Sequence, residues 1–521
     1  MFPDWLAHRA ATTPERIALV AGGRSWTFAA LDAAATRAAA ALAGQGVQPD
    51  DRVATLLPNG ERAVVVAHAV LRLGATLVPL NTRLSSAELA VLLGDARPRL
   101  LVVEARTAAL GDRARRECGV EVTSVDAAEP GGGATADGTG SAGSAQAAAV
   151  GAAVSAPVTL RLEHQAADVL AIIYTSGTTG QPKGAMLTVG NFWWSALGSA
   201  LNLGTHADDR WLACLPLFHV GGLSIVFRAA IYGITAVVHD GFDAAAVNRA
   251  IDDDGVTIVS VVAVMLQRML DERGDRPYPP TLRCVLLGGG PAPRPLLERC
   301  ASLGIPVVQT YGLTETASQV ATLAPEQALR RLGSAGRPLY PNEIRIATTD
   351  DSARAAAPEE AGEILVRGPV VMAGYAGLPD DVSADGWLHT GDIGYLDAEG
   401  YLYVLDRRTD LIVTGGENVY PAEVEAALLA HPRVAEAGVV GVADATWGQR
   451  VVAVVRLAGA ADVVNADPDA RVVDSLRTHC RARLAGYKVP SEFRIVGEPL
   501  PRTASGKLQR AALRAREASK H

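Results

Sequence analysis

The stretch of sequence that decides the fold is VLAIIYTSGTTGQPKG, residues 169–184. Its first six residues are apolar and do not alternate with polar ones, which is typical of a strand covered on both faces. The remainder is rich in hydroxyl groups and glycines and contains Lys183. Glycines let backbone N–H groups turn toward an anion and a lysine adds positive charge, so the stretch predicts a polyphosphate-binding loop after a buried strand.

This loop does not fit the Walker motif, which needs a glycine, four residues and then Gly-Lys-Ser/Thr. Counted from Gly177, the position of the second glycine holds Pro182, and Gly184 follows Lys183. A dinucleotide-binding fold has no support either, because no Gly-x-Gly-x-x-Gly turn follows the first strand. The alternative is an ordinary surface loop of serine, threonine and glycine, but the position directly after an apolar strand favours phosphate binding.

Apolar runs of strand length alternate with amphipathic stretches along most of the chain. Residues 52–57, 100–103 and 284–287 are predicted strands, and residues 61–73 are a predicted helix. Buried strands separated by helices indicate an α/β protein. The predicted fold is therefore α/β, with a large N-terminal domain of covered sheets and a small mobile C-terminal α+β domain.

Two regions break this pattern. Residues 127–157 are almost wholly Ala, Gly, Ser and Thr, and such a stretch has too little apolar bulk to offset the entropy of ordering, so it is predicted to be a flexible insertion. Residues 406–410, Asp-Arg-Arg-Thr-Asp, place charge between two apolar strands. The predicted domains are therefore residues 1–406, which carry the insertion, and residues 407–521.

The composition excludes several classes of protein. The 521 residues contain 48 Lys and Arg against 56 Asp and Glu, and no basic stripe is present, so we expect no nucleic-acid partner. The longest apolar candidate, residues 63–80, contains His68 and Arg72 and is too short and too polar to span a membrane. Five scattered cysteines without a C-x-x-C pair, and an N-terminus without a secretory pattern, predict a cytoplasmic protein. The sequence leaves open whether two copies of the chain form a homodimer.

Several ordered motifs, spread over about 330 residues, carry a resemblance to a known family. They are residues 174–184, Gly288 to Pro291, residues 309–316 (QTYGLTET), residues 386–392 (GWLHTGD), Asp406-Arg407 with residues 415–418 (GGEN), and residues 501–507 (PRTASGK). In this order they resemble the AMP-forming acyl-CoA synthetases, a branch of the adenylate-forming enzymes. The resemblance implies that ATP, with Mg²⁺, activates a carboxylic acid as acyl-AMP, and that the acyl group then passes to coenzyme A.

The resemblance implies a role for each motif. Lys507 would bridge the substrate carboxylate and the α-phosphate of ATP, to which Thr314 would donate a hydrogen bond. Glu315 would hold Mg²⁺ with a contribution from Thr179, and Lys183 is also expected to be catalytic. The residues expected to bind the nucleotide are Thr175, Ser176, Gly177, Thr178, Thr179, Gly180, Gly288, Gly289, Gly290, Pro291, Tyr311, Gly312, Asp392 and Arg407.

Single residues in these motifs also have ordinary structural interpretations. Tyr311 would lay its ring on the adenine, or it is a half-buried core aromatic. Asp392 would accept both ribose hydroxyls, or it caps a helix. Lys507 taken alone would be a solvated lysine. Only the ensemble of motifs favours the functional interpretation of each residue.

The resemblance further implies that the small domain swings between two poses. One pose brings Lys507 to the adenylation site, and the other brings the face that helps to form the tunnel for the pantetheine arm of coenzyme A. The tunnel residues are predicted to be Gly415, Gly416 and Glu417. The hinge is predicted at Arg408 and Thr409, but many family members carry Asp or Lys where this chain has Thr409, which leaves the pivot residue open.

Substrate choice is expected to depend on residues 211–228 and 256–270, which with residues 315–319 are similar to the o-succinylbenzoate–CoA ligases. That acid is an aromatic keto-diacid of which only the aliphatic carboxylate is activated. Its second carboxylate needs a partner in the acyl pocket, because an unpaired buried charge is costly. The candidate partners are His219, Arg228 and Ser318. His219 is flanked by apolar residues, so a satisfied core histidine is its alternative.

Two other functions stay open at this point. The chain could be a CoA ligase for another aromatic, cyclic or medium-chain carboxylic acid, which a panel of acids would separate. It could also be a non-catalytic paralogue that binds a nucleotide. The presence of Lys183, Glu315, Asp392 and Lys507 weighs against the second possibility.

Overall fold

The computed structural model describes residues 1–118, 123–126, 159–175, 182–289, 294–327, 330–331, 333–348, 354–378, 385–406, 412–419, 421–458, 470–501, 508 and 510–518. Several predicted sites lie outside these residues. They are Ser176, Gly177, Thr178, Thr179, Gly180, Gly290, Pro291, Arg407, Arg408, Thr409 and Lys507. The predicted insertion at residues 127–157 also lies outside them, so these expectations stay predictions.

The strands of the described chain are short and follow one another closely. They are β1 (Phe2–Pro3), β2 (Ile17–Ala21), β3 (Arg24–Thr27), β4 (Arg52–Leu56), β5 (Thr76–Pro79), β6 (Leu100–Val103), β7 (Thr123–Asp126), β8 (Glu163–His164), β9 (Val169–Thr175), β10 (Lys183–Thr188), β11 (Arg210–Ala213), β12 (Thr235–Val238), β13 (Ile258–Val261), β14 (Cys284–Leu287), β15 (Val307–Tyr311), β16 (Ala321–Thr322), β17 (Arg337–Pro338), β18 (Glu343–Ala347), β19 (Gly362–Arg367), β20 (Leu388–Leu396), β21 (Leu402–Asp406), β22 (Ile412–Thr414), β23 (Glu417–Val419), β24 (Val434–Asp444), β25 (Gly448–Leu457) and β26 (Glu492–Val496).

Helices separate most of these strands. They are α1 (Trp5–Thr12), α2 (Phe28–Gly44), α3 (Glu61–Arg72), α4 (Ser86–Ala96), α5 (Ala105–Glu117), α6 (Val189–Leu203), α7 (Val220–Tyr232), α8 (Ala244–Asp253), α9 (Ala263–Arg273), α10 (Arg294–Ser302), α11 (Pro421–Leu429), α12 (Ala470–Arg481) and α13 (Arg510–Ala518). Short 3₁₀ turns cover Thr314–Thr316, Pro325–Gln327 and Gly486–Lys488. No helix among the described residues is long and apolar enough to cross a membrane.

Two large sheets form the N-terminal part of the molecule. A six-stranded sheet has the order β10-β9-β5-β4-β6-β7, and a nine-stranded sheet has the order β17-β16-β15-β14-β13-β11-β12-β2-β3. The inner strands of both sheets pair in parallel. Every residue of β6, β12 and β14 is buried, which confirms the prediction of sheets covered on both faces.

The remaining sheets are smaller. β18 to β21 form a four-stranded antiparallel sheet. The C-terminal sheet has the order β23-β22-β25-β24, with β26 added beside β25. Its strands and helices enclose a separate hydrophobic cluster that includes Ile412, Val424, Val439, Leu476 and Phe493. A hydrophobic core of its own is what a small domain needs in order to move as a unit.

Helix α4 shows how local sequence fixes an element beside the site. Ser85 is its N-cap and accepts a hydrogen bond from the backbone N–H of Glu88, while the Glu88 side chain accepts one from the N–H of Ser85. This reciprocal capping box satisfies N–H groups that have no partner within the helix. The start of α4 is therefore fixed, together with the direction of both side chains.

Candidate active site

The predicted site residues collect where parallel strands end, which is where open α/β sheets usually bind ligands. Thr175 ends β9, Gly288 and Gly289 follow β14, and Tyr311 ends β15. Thr175 pairs with Lys183 across the antiparallel ladder of β9 and β10. The two ends of the predicted phosphate loop therefore lie side by side.

Two cavities meet at this edge. The nucleotide-side cavity, about 700 Å³, is lined by Thr175, Glu315, Tyr375 and Asp392, among others. The acyl-side cavity, about 450 Å³, is lined by Arg228, Gly288, Gly289, Ser318 and Gly415, among others. Both cavities share wall residues, which are Phe218, His219, Leu313, Thr314 and Glu417. The two cavities are therefore adjacent along this shared wall.

Asp392 is held by a tyrosine. The hydroxyl of Tyr311 donates to Asp392 Oδ2 over 2.8 Å, and Asp392 is buried within β20. The interpretation of Asp392 as a helix cap is therefore wrong. Tyr311 is 6% exposed and packs in a cluster with Val320 and Ile364. It has the surroundings of a core aromatic, and its role on the adenine stays a prediction.

Glu315 is held by a second tyrosine, which sequence reasoning missed. The hydroxyl of Tyr375 donates to Glu315 Oε1 over 2.6 Å, and Lys183 Nζ lies 4.8 Å from the centroid of the same ring. Tyr375 therefore orients the predicted metal ligand and contacts the predicted catalytic lysine. Nothing in its local sequence marks it, because it is one tyrosine between small residues (AGYAG).

The acidic groups fit Mg²⁺ carried by a nucleotide better than a metal held by protein alone. Where the structure describes the chain, no three His, Cys, Asp or Glu side chains are grouped to hold a metal ion. Mg²⁺ commonly binds through one or two carboxylates while phosphate oxygens and water complete its shell. Glu315 could supply such a carboxylate, whereas Thr179 lies outside the described residues.

Glu417 connects the C-terminal domain to the shared wall. It is buried, forms an ion pair with Arg83, and has its Oε2 atom 3.6 Å from His219 Nε2. Burial raises the pKa of Glu417, but the hydrogen bond and charge of His219, with the charge of Arg83, lower it below the usual range. The His219 side chain is 42% exposed, so its interpretation as a core histidine is wrong.

Arg228 is a buried cation on the acyl-side cavity. It is 2% exposed, its Nη2 donates to Ser195 Oγ over 3.0 Å, and its guanidinium lies 5.5 Å from the ring of Trp211. Among the described residues it forms no ion pair with a carboxylate, and burial lowers its pKa. A buried guanidinium without a negative partner is costly unless a ligand supplies the charge.

The backbone of Ser318, which lines the same cavity as Arg228, is unusual. Ser318 has φ of +99°, and its carbonyl oxygen lies 1.5 Å from the place where a Cβ on residue 312 would stand. Only glycine fits at Gly312, which explains this motif position by close packing. The next residue, Gln319, was not predicted as a site residue. It is 2% exposed, and neither amide atom has a hydrogen-bond partner in the described part of the chain.

The sequence matches known families along most of its length. Residues 6–376 match the family model of the AMP-binding enzyme, and residues 423–507 match that of the AMP-binding enzyme C-terminal domain. The chain belongs to the AMP-binding enzyme family. The family predicted from the ordered motifs is thus confirmed, as is the α/β fold with a C-terminal domain.

Relatives within the AMP-binding enzymes are similar over their full length. A 2-succinylbenzoate–CoA ligase of Geobacillus kaustophilus (strain HTA426) is 50% identical, with 98% of this chain and 97% of the relative covered. Another, from Geobacillus sp. (strain WCH70), is 46% identical with the same coverage.

Solved structures of one AMP-binding enzyme differ in how closely they match. O-succinylbenzoate CoA synthetase from Bacillus subtilis, 42% identical with 98% of each chain covered, gives a TM-score of 0.86 as a double mutant bound with its product analogue OSB-NCoA. With the acyl-adenylate intermediate OSB-AMP, at the same identity and coverage, the TM-score is 0.71. The sequence identity is the same in both comparisons, so the difference in TM-score reflects a difference in conformation between the two solved structures.

Proposed function

We propose that this AMP-binding enzyme is an ATP-dependent ligase that converts 2-succinylbenzoate into its CoA thioester through an acyl-AMP intermediate. The observation that supports this choice of substrate is the buried guanidinium of Arg228 on the acyl-side cavity. A keto-diacid has one carboxylate to activate and a second to pair with this cation. The full-length similarity to ligases named for that acid supports the same conclusion.

In the first half-reaction, an oxygen of the aliphatic carboxylate attacks the α-phosphorus of ATP, and pyrophosphate leaves. Thr314 and Glu315 line the nucleotide-side cavity and would contact the phosphates. Lys507 would neutralise charge as the two anions approach. Mg²⁺, when bound with ATP, would offset the charge of the phosphates, with Glu315 and Thr179 as its protein ligands.

In the second half-reaction, the thiol of coenzyme A attacks the acyl carbonyl, AMP leaves, and the thiol proton is lost to solvent or to a base. Gly415, Gly416 and Glu417 line the acyl-side cavity, which fits their proposed place on the pantetheine tunnel. The greater likeness to the product-analogue complex supports the same pose. We place the hinge at Arg408 and Thr409 and the domain boundary at residues 406–407.

The location and the partners of the enzyme follow from this proposed chemistry. We propose a cytoplasmic enzyme that acts on small molecules without a nucleic-acid partner. A homodimer is compatible with this proposal, and sedimentation of the purified protein would measure it.

The test is exchange of labelled pyrophosphate into ATP with a panel of acids, followed by thioester formation with coenzyme A. We expect exchange with 2-succinylbenzoate to exceed that with 4-oxo-4-phenylbutanoate, which lacks the ring carboxylate, and that with benzoate or medium-chain fatty acids. Exchange with one of the other acids but not with 2-succinylbenzoate would show that the other acid is the substrate. Exchange with none of them would favour a non-catalytic paralogue.

A further inference from the structure

The segment that leads into helix α4 contacts the C-terminal domain at several side chains. We call Asn81, Arg83, Ser85 and Glu88 the docking strip. Its contacts are Asn81 Nδ2 to the Tyr487 hydroxyl (3.2 Å), Arg83 to Glu417, Ser85 Oγ to the Arg483 carbonyl oxygen (3.0 Å), and Glu88 Oε1 to Lys488 Nζ (3.0 Å). One short stretch of the large domain thus contacts two separate segments of the small one, at residue 417 and at residues 483–488.

Lys488 is the most buried partner of the docking strip. It is 5% exposed and lies on the 3₁₀ turn Gly486–Lys488. Its ammonium group contacts Glu88 of the large domain at 3.0 Å and Glu423 of the small domain at 2.7 Å. Burial disfavours the charge on Lys488, but Glu423, Tyr487 and Glu88 together hold its pKa above the ordinary lysine value. The lysine therefore stays charged and binds both domains.

Glu88 is oriented before the small domain arrives. Its Oε2 atom accepts a hydrogen bond from the backbone N–H of Ser85 over 2.9 Å, within the capping box of α4, and lies 2.8 Å from the Ser85 hydroxyl oxygen. Its Oε1 atom is the one that meets Lys488. The helix start thus holds one oxygen and presents the other across the domain interface. A charged group held in this way loses little entropy when its partner docks.

We propose that Glu88 is a positioning residue for thioester formation, which holds the small domain through Lys488 in the pose that places Gly415, Gly416 and Glu417 on the acyl-side cavity. This inference rests on the proposed function. The contact spans the interface, so it exists only while this face of the small domain is docked. A contact present in one pose shifts the equilibrium between the poses toward that pose.

The variant that isolates this contact is Glu88→Gln. Glutamine serves at this position of a capping box as well as glutamate does, so the start of α4 is kept while the charge that binds Lys488 is lost. We expect thioester formation from preformed acyl-AMP to slow roughly tenfold to hundredfold, the range for a hydrogen bond to a charged group. Exchange of pyrophosphate into ATP should be unchanged, because it needs the other pose.

Two further variants serve as controls. Glu343→Gln removes a carboxylate that contacts Arg367 at 2.7 Å within the large domain, and both half-reactions should be unaffected. Glu88→Asp keeps the charge on a shorter side chain and should restore part of the lost rate. Thermal unfolding of each variant shows whether it is folded.

The outcomes separate this inference from the proposed function. If the native protein forms acyl-AMP and thioester, and Glu88→Gln slows only the second step, the inference stands. If Glu88→Gln slows both steps equally, or neither, Glu88 is only structural and the inference fails while the function remains. If the native protein catalyses neither step, the proposed function falls and the inference falls with it.

Discussion

The two cavities of the site balance their charges in different ways. On the nucleotide side, the carboxylates of Glu315 and Asp392 each accept a hydrogen bond from a tyrosine. On the acyl side, Arg228 has no carboxylate and Gln319 no hydrogen-bond partner among the residues that the structure describes. The groups proposed to bind the nucleotide are therefore held in place by neighbouring side chains. The groups proposed to bind the acid would gain their partners only from the bound acid.

The largest expected effect lies on the nucleotide side. Lys507→Ala should slow acyl-AMP formation roughly 10²–10³-fold, the usual result of losing one electrostatic donor to a developing charge. Thioester formation from preformed acyl-AMP should be retained, because the proposed role of Lys507 belongs only to the adenylation pose. Single-turnover measurements of each half-reaction would test this. Comparable losses in both half-reactions would contradict the assignment.

The next effect lies on the acyl side. Arg228→Met should lower kcat/KM for 2-succinylbenzoate by about 100-fold, because its ring carboxylate would be left buried without a partner. The same variant should lose little with 4-oxo-4-phenylbutanoate, which has no ring carboxylate and so serves as an internal control. Equal losses with both acids would mean that Arg228 supports the fold of the cavity, and the contrast between the two sides would fail.

Replacement of Gln319 by leucine should raise the stability of the protein and lower its activity. Gln319→Leu removes a buried amide that has no partner, so the free energy of unfolding should rise by about 1 kcal/mol without substrate. We expect the unpartnered amide to donate a hydrogen bond to the bound acid, so its loss should lower kcat/KM for 2-succinylbenzoate about tenfold. Thermal unfolding and steady-state kinetics on the same preparation measure both. A variant that is less stable and equally active would show that the amide serves the fold.

Local sequence predicted the elements well where buried strands are short and uniform. Residues 284–287 were predicted as a strand and form β14, and the predicted strand at residues 169–174 is Val169–Thr175. The predicted helix at residues 61–73 is α3, Glu61–Arg72, which ends one residue earlier than predicted. The end of a helix depends on caps and on packing that periodicity does not contain.

The site was predictable only where ordered motifs carry it. Tyr375 lies 60 residues from Glu315, and Lys488 lies 400 residues from Glu88, so no local pattern pairs them. Gln319 belongs to a quoted segment, but its missing partners appear only when the surrounding chain is packed. The motifs therefore predicted the family and its ligands, and only the packed fold shows which tyrosines hold Glu315 and Asp392.

The smallest expected effect on activity comes from a histidine outside both cavities. His68 is buried against Phe227, with Asp4 and Arg72 nearby, and its Nδ1 atom has no partner among the described residues. Burial lowers the pKa of His68 to about 4; the charge of Asp4 acts against this shift and that of Arg72 adds to it. Since the folded state disfavours the charged ring, stability is fully present above the unfolded pKa of about 6.5 and is lost as the pH falls toward 4.

The variant His68→Met should leave kcat/KM at pH 7 unchanged and should reduce this loss of stability in acid. The native protein should lose about 3 kcal/mol between pH 7 and pH 4 through His68 alone, because each unit of pKa shift is worth about 1.4 kcal/mol. Unfolding midpoints across that pH range would measure the difference, with the exposed His206→Gln as the matched control. If the two variants lose stability alike, His68 does not govern the response to acid, and other buried groups such as His164, whose pKa burial also lowers, must do so.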